Sequence, residues 1–156
     1  MVSHTRWIAL ITLSTTIFAL EPQHLIYGDW VIWRELVAAE DSRLGGDEIE
    51  SLIGGSAHYE SDDVEFVGQR CERPVYDTYR ETERSLLQSR SLRPEDLRLQ
   101  SDTALAIEIG CADGNDEFDA GTWLLVAGPD RLITEVDGVY FELKRLPTQL
   151  DTIAQP

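Results

Sequence analysis

Apolar and polar side chains alternate in short runs separated by turn residues, which is the period of β-strands. In the last run, residues 139–146, Val139, Phe141 and Leu143 share one face while Tyr140, Glu142 and Lys144 share the other. Val64 and Phe66 lie opposite Glu65 and Val67, and Ser61-Asp62-Asp63 links this run to residues 56–60, predicting a hairpin. Trp30-Val31-Ile32-Trp33-Arg34-Glu35-Leu36 is rich in β-branched and aromatic residues and predicts the first strand. Residues 74–79 predict a strand that starts at Pro74 or lies at a sheet edge. Residues 103–109 predict another, running on to Cys111. Residues 122–127 and 131–136 flank the turn Gly128-Pro129-Asp130, and Asp137-Gly138 is a hairpin turn into the last strand. The expected fold is mainly β, about seven or eight short strands. Their spacing and turn chemistry favour an antiparallel barrel or sandwich over βαβ units.

Two segments break the alternation. Asp47 is a helix N-cap with Glu50 three residues on, Ile49, Leu52 and Ile53 follow at helical spacing, and Gly54-Gly55 stops the run. A helix of about two turns needs packing to hold it, and after strand one it is placed to lid a barrel end. Residues 81–99 carry only Leu86, Leu87, Leu92, Leu97 and Leu99 as apolar positions. They predict a short helix over 84–90 and a helical turn at Pro94-Glu95-Asp96-Leu97, together forming a surface crossover. Residues 147–156 lack a pattern and read as a loose tail.

The N-terminal residues have a different character. Arg6 is followed by Trp7-Ile8-Ala9-Leu10-Ile11-Thr12-Leu13-Ser14-Thr15-Thr16-Ile17-Phe18-Ala19, a short apolar core with a basic flank. This reads as a signal peptide over 1–19; Ile17 fits the cleavage rule poorly, so the cut is placed only to within a few residues. The alternative is an uncleaved anchor, though the run is short and rich in Ser and Thr for a membrane span. Residues 20–146 then make one domain in the periplasm or outside the cell. Its two cysteines, Cys71 and Cys111, read as one structural disulfide in an oxidising compartment, with two buried free thiols as the alternative.

Charge narrows the partners. The chain carries −16; removing the leader takes away Arg6 and no acid, leaving −17. Of this, residues 20–69 hold −10, residues 70–98 hold +1 and residues 99–156 hold −8. Such a field repels nucleic acid and anionic membranes and steers cationic partners. The bland alternative is that the acidity only keeps an exported protein soluble.

Gly28-x-Trp30 on strand one, the helix over 47–53, the hairpin arm running to Cys71, the strand over 105–111 and the final hairpin with Lys144 together span most of the exported chain. On these residues the chain resembles the lipocalin-like, or calycin, small barrels of bacterial exported proteins. The resemblance implies an up-and-down barrel whose base Trp30 plugs, with Lys144 or Arg145 packed over the indole. It gives Gly28, Trp30, Lys144 and Arg145 structural roles. The crossover at 81–99 departs from the family pattern and puts a large ligand cup in doubt.

Catalytic motifs are missing from the sequence: there is no GxSxG, HExxH, P-loop or GxGxxG. His24 and His58 have no nucleophile motif around them. Asp113-Gly114-Asn115-Asp116-Glu117-Phe118-Asp119 spaces oxygens like the start of a calcium loop, but Phe118 stands where glycine is needed, so it reads as a solvated acidic loop. No metal and no cofactor are expected. Trp33, Tyr59, Phe66, Tyr76, Trp123 and Tyr140 are candidate ligand-lining residues, with core or wall positions as the alternative. Arg80, Arg84, Arg90, Arg93 and Arg98 are expected to pair with surface acids, with an anionic ligand or partner as the alternative. The expected function is a non-enzymatic, monomeric barrel that binds a small apolar or amphipathic molecule. The alternative is an acidic barrel that binds a cationic protein, as inhibitor of or immunity protein against a cell-wall hydrolase.

Overall fold

A computed structural model describes residues 21–112 and 118–147. The expected signal peptide, most of the acidic run after Ala112 and the tail beyond Pro147 lie outside the described residues. A 3₁₀ turn, Pro22–Leu25, precedes β1 (Gly28–Ala38), α1 (Gly46–Leu52), β2 (Ser56–Tyr59), β3 (Val64–Phe66), β4 (Gln69–Cys71) and β5 (Pro74–Thr82). Then come α2 (Glu83–Arg90), β6 (Thr103–Cys111), β7 (Trp123–Gly128), β8 (Arg131–Val136) and β9 (Val139–Arg145).

All nine described strands form one antiparallel sheet in the order β4-β3-β2-β1-β9-β8-β7-β6-β5. Pairing of the first long strand with the last curls it into a nearly closed up-and-down barrel. β4 and β5 terminate the sheet order, yet only Glu72 and Arg73 separate them in the chain, so they act as one bent stave. A disulfide from Cys71 to Cys111 fastens this corner to the end of β6, with 5.7 Å between the Cα atoms.

The extra strand, beyond the seven or eight expected, is β4. It is three residues long, too short to show an alternation, and it folds back on β3 with Phe66 opposite Gln69. The two-residue turn between them is Val67-Gly68, both at positive φ (48° and 83°). This is the geometry that hairpin turns require. Valine is a rare residue there, and that hides the turn from sequence reading. Asp137-Gly138 uses the same geometry, at 49° and 83°, in the turn that the sequence does announce.

The inward faces meet in one apolar core. Trp30, Tyr59, Phe66, Phe141, Ile107, Leu124, Leu132 and Leu143 are all fully buried in it. A second core lies on the outer face of the sheet, where Leu86, Leu92 and Leu97 pack on Ala106, Trp123, Leu125, Ile133 and Tyr140. The 81–99 crossover is therefore more than a surface connection: its few leucines are the anchors that dock it on the barrel wall.

Polar clamps fix its position. Arg131 donates to Glu142, 2.9 Å, and to the backbone carbonyls of Leu97, 2.9 Å, and Arg98, 3.1 Å. Arg34 donates to the same Glu142 oxygen, 2.9 Å. Burial alone would raise the Glu142 carboxyl, but the two guanidinium hydrogen bonds outweigh it and hold the group below its usual range. Thr82 caps α2 by accepting from the Ser85 amide, and Ser91, in the left-handed region, ends it.

Candidate functional site

The two ends of the barrel differ. At one end the Trp30 indole is fully buried and donates to the Ile26 carbonyl, 2.7 Å. The Arg145 guanidinium stacks 4.1 Å from the indole centroid and donates to three carbonyls: Leu25 at 2.8 Å, Tyr27 at 2.6 Å and Pro129 at 3.1 Å. Gly28 sits at φ 119°, and a Cβ there would lie 3.1 Å from Arg145 Nη1, so glycine suits this position on both counts. Of the two cations expected over Trp30, Arg145 takes that place. Lys144 instead covers Trp33 on the outside, 3.8 Å from its centroid. Successive residues of β9 point to opposite faces, so only one of the pair reaches the base.

The other end opens into a cleft of about 1400 Å³. Leu44, Glu48, Ser51 and Leu52, in and before α1, form one side, and Phe66, Val67 and Gln69 of the β3–β4 turn form another. The β8–β9 turn, the end of β1 and the end of α2 complete it. The 47–53 helix thus stands at the mouth, as a lid would. A Cβ on Gly121, at φ 69°, would come within 2.3 Å of the Phe66 ring. This close approach seats Phe66 at the cleft floor.

Seven carboxylates line the cleft against two arginines: Glu40, Asp41, Glu48, Asp96, Asp119, Glu135 and Asp137, with Arg43 and Arg90. Several serve the local backbone. Glu48 accepts from the Gly45 amide and Asp96 from the Arg93 amide, both at 2.8 Å, while Glu135 accepts from Gly138. Asp137 pairs with Arg43. Arg90 faces the outer core, 4.1 Å above the Trp123 ring. It also bonds the Tyr140 hydroxyl; burial holds that hydroxyl above its usual range, and Arg90 partly offsets this. Glu40 and Asp41 are exposed on the rim.

The six aromatics singled out in the sequence do not converge on one cavity. Tyr59 and Phe66 are buried in the inner core with Tyr76 packed against it, whereas Trp123 and Tyr140 belong to the outer core. Trp33 is half exposed. Trp33 follows the inward Trp30 and Ile32 by ordinary alternation and so takes the outward face, and the register shift between Ile32 and Arg34 leaves it without a partner on β9. Only Phe66 and Tyr140 of the six reach the cleft. The acidic rim escaped the sequence reading because its residues come from five separate segments; Asp96, Asp119 and Asp137 were each marked singly, with nothing local to join them.

The histidines lie elsewhere. His58 pairs with Asp29, 2.7 Å, on the β1–β2 surface, and His24 meets Tyr27 edge-on. Among the described residues no group of three or more His, Cys, Asp or Glu is arranged to hold a metal ion. No described helix is long and apolar enough to cross a membrane. Compared with family models, curated proteins and solved structures, the chain matches none.

Proposed function

We propose that this chain is a non-enzymatic, exported, lipocalin-like barrel that binds a cationic protein at its open mouth. One observation carries the reading: large buried side chains occupy the barrel interior, and the 1400 Å³ cleft beyond them is framed by seven carboxylates and two arginines. A periplasmic or extracellular location agrees with the Cys71–Cys111 bond. A basic surface, such as that of a cationic cell-wall hydrolase, complements such a rim in charge, and the field of a −16 chain accelerates the encounter. Inhibition or immunity is the activity that follows from covering such an enzyme.

Pull-down from a periplasmic extract, at low and moderate salt, tests this. A basic partner should be retained at low salt and released as the Debye length shrinks toward ~8 Å. Glu40→Gln with Asp41→Asn should weaken its capture. Retention of no basic protein, or capture indifferent to both salt and these substitutions, sinks the reading.

A second reading is a small apolar or amphipathic ligand in the same cleft, favoured by the apolar floor of Val37, Leu52, Phe66 and Val136. Native mass spectrometry of the purified protein distinguishes it, since a carried molecule adds a discrete mass that Phe66→Ala should abolish.

A further inference from the structure

β5 is nine residues long, and all nine positions pair with β6. No other described strand pairs with its remaining edge. Such an edge is a template for another strand unless something covers it. The ladder shows which backbone groups face it. The Ala112 amide donates to the Arg73 carbonyl and the Glu83 amide to the Asp102 carbonyl, so odd-numbered residues of this stretch turn toward β6. Even-numbered residues turn their N–H and C=O outward: Pro74, Tyr76, Thr78, Arg80 and Thr82. Pro74 has no N–H to leave unpaired, and the Thr82 N–H is bonded to Ser85 Oγ, 2.8 Å. Three residues, Tyr76, Thr78 and Arg80, therefore present both groups to this edge.

We propose that two copies of this chain associate through this edge, β5 against β5, antiparallel about a two-fold axis at Thr78. In that register Thr78 faces its own copy and Tyr76 faces Arg80, giving the three outward residues mutual hydrogen-bonded pairs. The flanking charges favour a second copy. Arg73 and Glu83, where the ladder ends, fall opposite one another across the two-fold, which repeats the pair. Both side chains are exposed at the two ends of β5. The stretch 70–98 carries +1 in a chain of −16, so this is where two copies approach without the repulsion that the rest of the surface imposes. Self-association replaces the monomer expected from the sequence. It uses no residue that lines the cleft, so it stands or falls separately from the proposed function.

Sedimentation velocity from micromolar to millimolar protein tests it, with amide hydrogen exchange on Tyr76, Thr78 and Arg80. A monomer–dimer equilibrium is expected, with these amides protected only where the dimer is populated. Thr78→Pro removes the central donor without touching the β6 ladder and should weaken the dimer by roughly a hundredfold. Arg73→Glu, placed outside the strand so that folding is retained, should weaken it by roughly tenfold, and adding Glu83→Arg should restore it. A monomer across the whole series overturns the proposal, as does a dimer unmoved by Arg73→Glu. Protected amides in a monomer also overturn it, since the chain itself would then cover the edge.

Discussion

The plugged end and the open mouth are built from the same staves but spend charge in opposite ways. At the plugged end one cation, Arg145, satisfies three carbonyls and covers one indole. At the mouth seven carboxylates meet two arginines, and several cap nothing more than a neighbouring amide. The first arrangement is saturated and inward, so it contributes stability. The second leaves negative charge facing solvent, where stability gains little and an incoming cation gains more.

Substitution separates the two ends. Trp30→Ala should have the largest effect, about 3–5 kcal/mol lost in chemical denaturation, because it empties the base of the inner core. A loss under about 1 kcal/mol would mean that the plug is not what closes the barrel. Arg145→Lys keeps the charge and loses the fork; about 1–3 kcal/mol should go, through carbonyls left without donors.

Acid treatment probes a carboxylate that belongs to the saturated kind although it lies on the barrel wall. Glu142 has a folded-state value below its unfolded one, near ~4.3, so its contribution is full above that pH and is lost as pH falls through the folded value. Wild-type protein should therefore lose stability on acidification more steeply than Glu142→Gln, whose stability is lower at neutral pH. Parallel curves for the two proteins would remove Glu142 from the account. The smallest effect is expected at the mouth: Glu40→Gln and Asp41→Asn should move stability by less than about 0.5 kcal/mol while reducing capture of a basic partner.

The inner core was legible because each long strand alternates. Val139, Phe141 and Leu143 face inward as their spacing predicts, and the Asp137-Gly138 turn falls where its residues require. Placement of the plug followed from Gly28-x-Trp30, and the choice of Arg145 over Lys144 follows from alternation along β9, which puts Arg145 on the inward face of Val139, Phe141 and Leu143. The outer core was not legible. Leu86, Leu92 and Leu97 recur at no single period, and their partners Trp123 and Tyr140 sit on the faces that a one-sided barrel would give to solvent. The cleft was legible only as a location, opposite the plug and under α1, since its acids meet through tertiary folding alone.

The pairing of β1 with β9 also carries a consequence in time. Trp30 lies opposite Arg145, so the contact that closes the barrel joins residues 115 positions apart, and the chain must search a long loop before that closure stabilises anything. β5–β6 and β7–β8–β9 are local hairpins that can zip early. A polypeptide that emerges N-terminus first can pair β1 with β2 early, but the other edge of β1 has no mate until β9 has arrived. Closure has to wait for β9, and in that interval the open edge of β1 is the segment most in need of protection from aggregation.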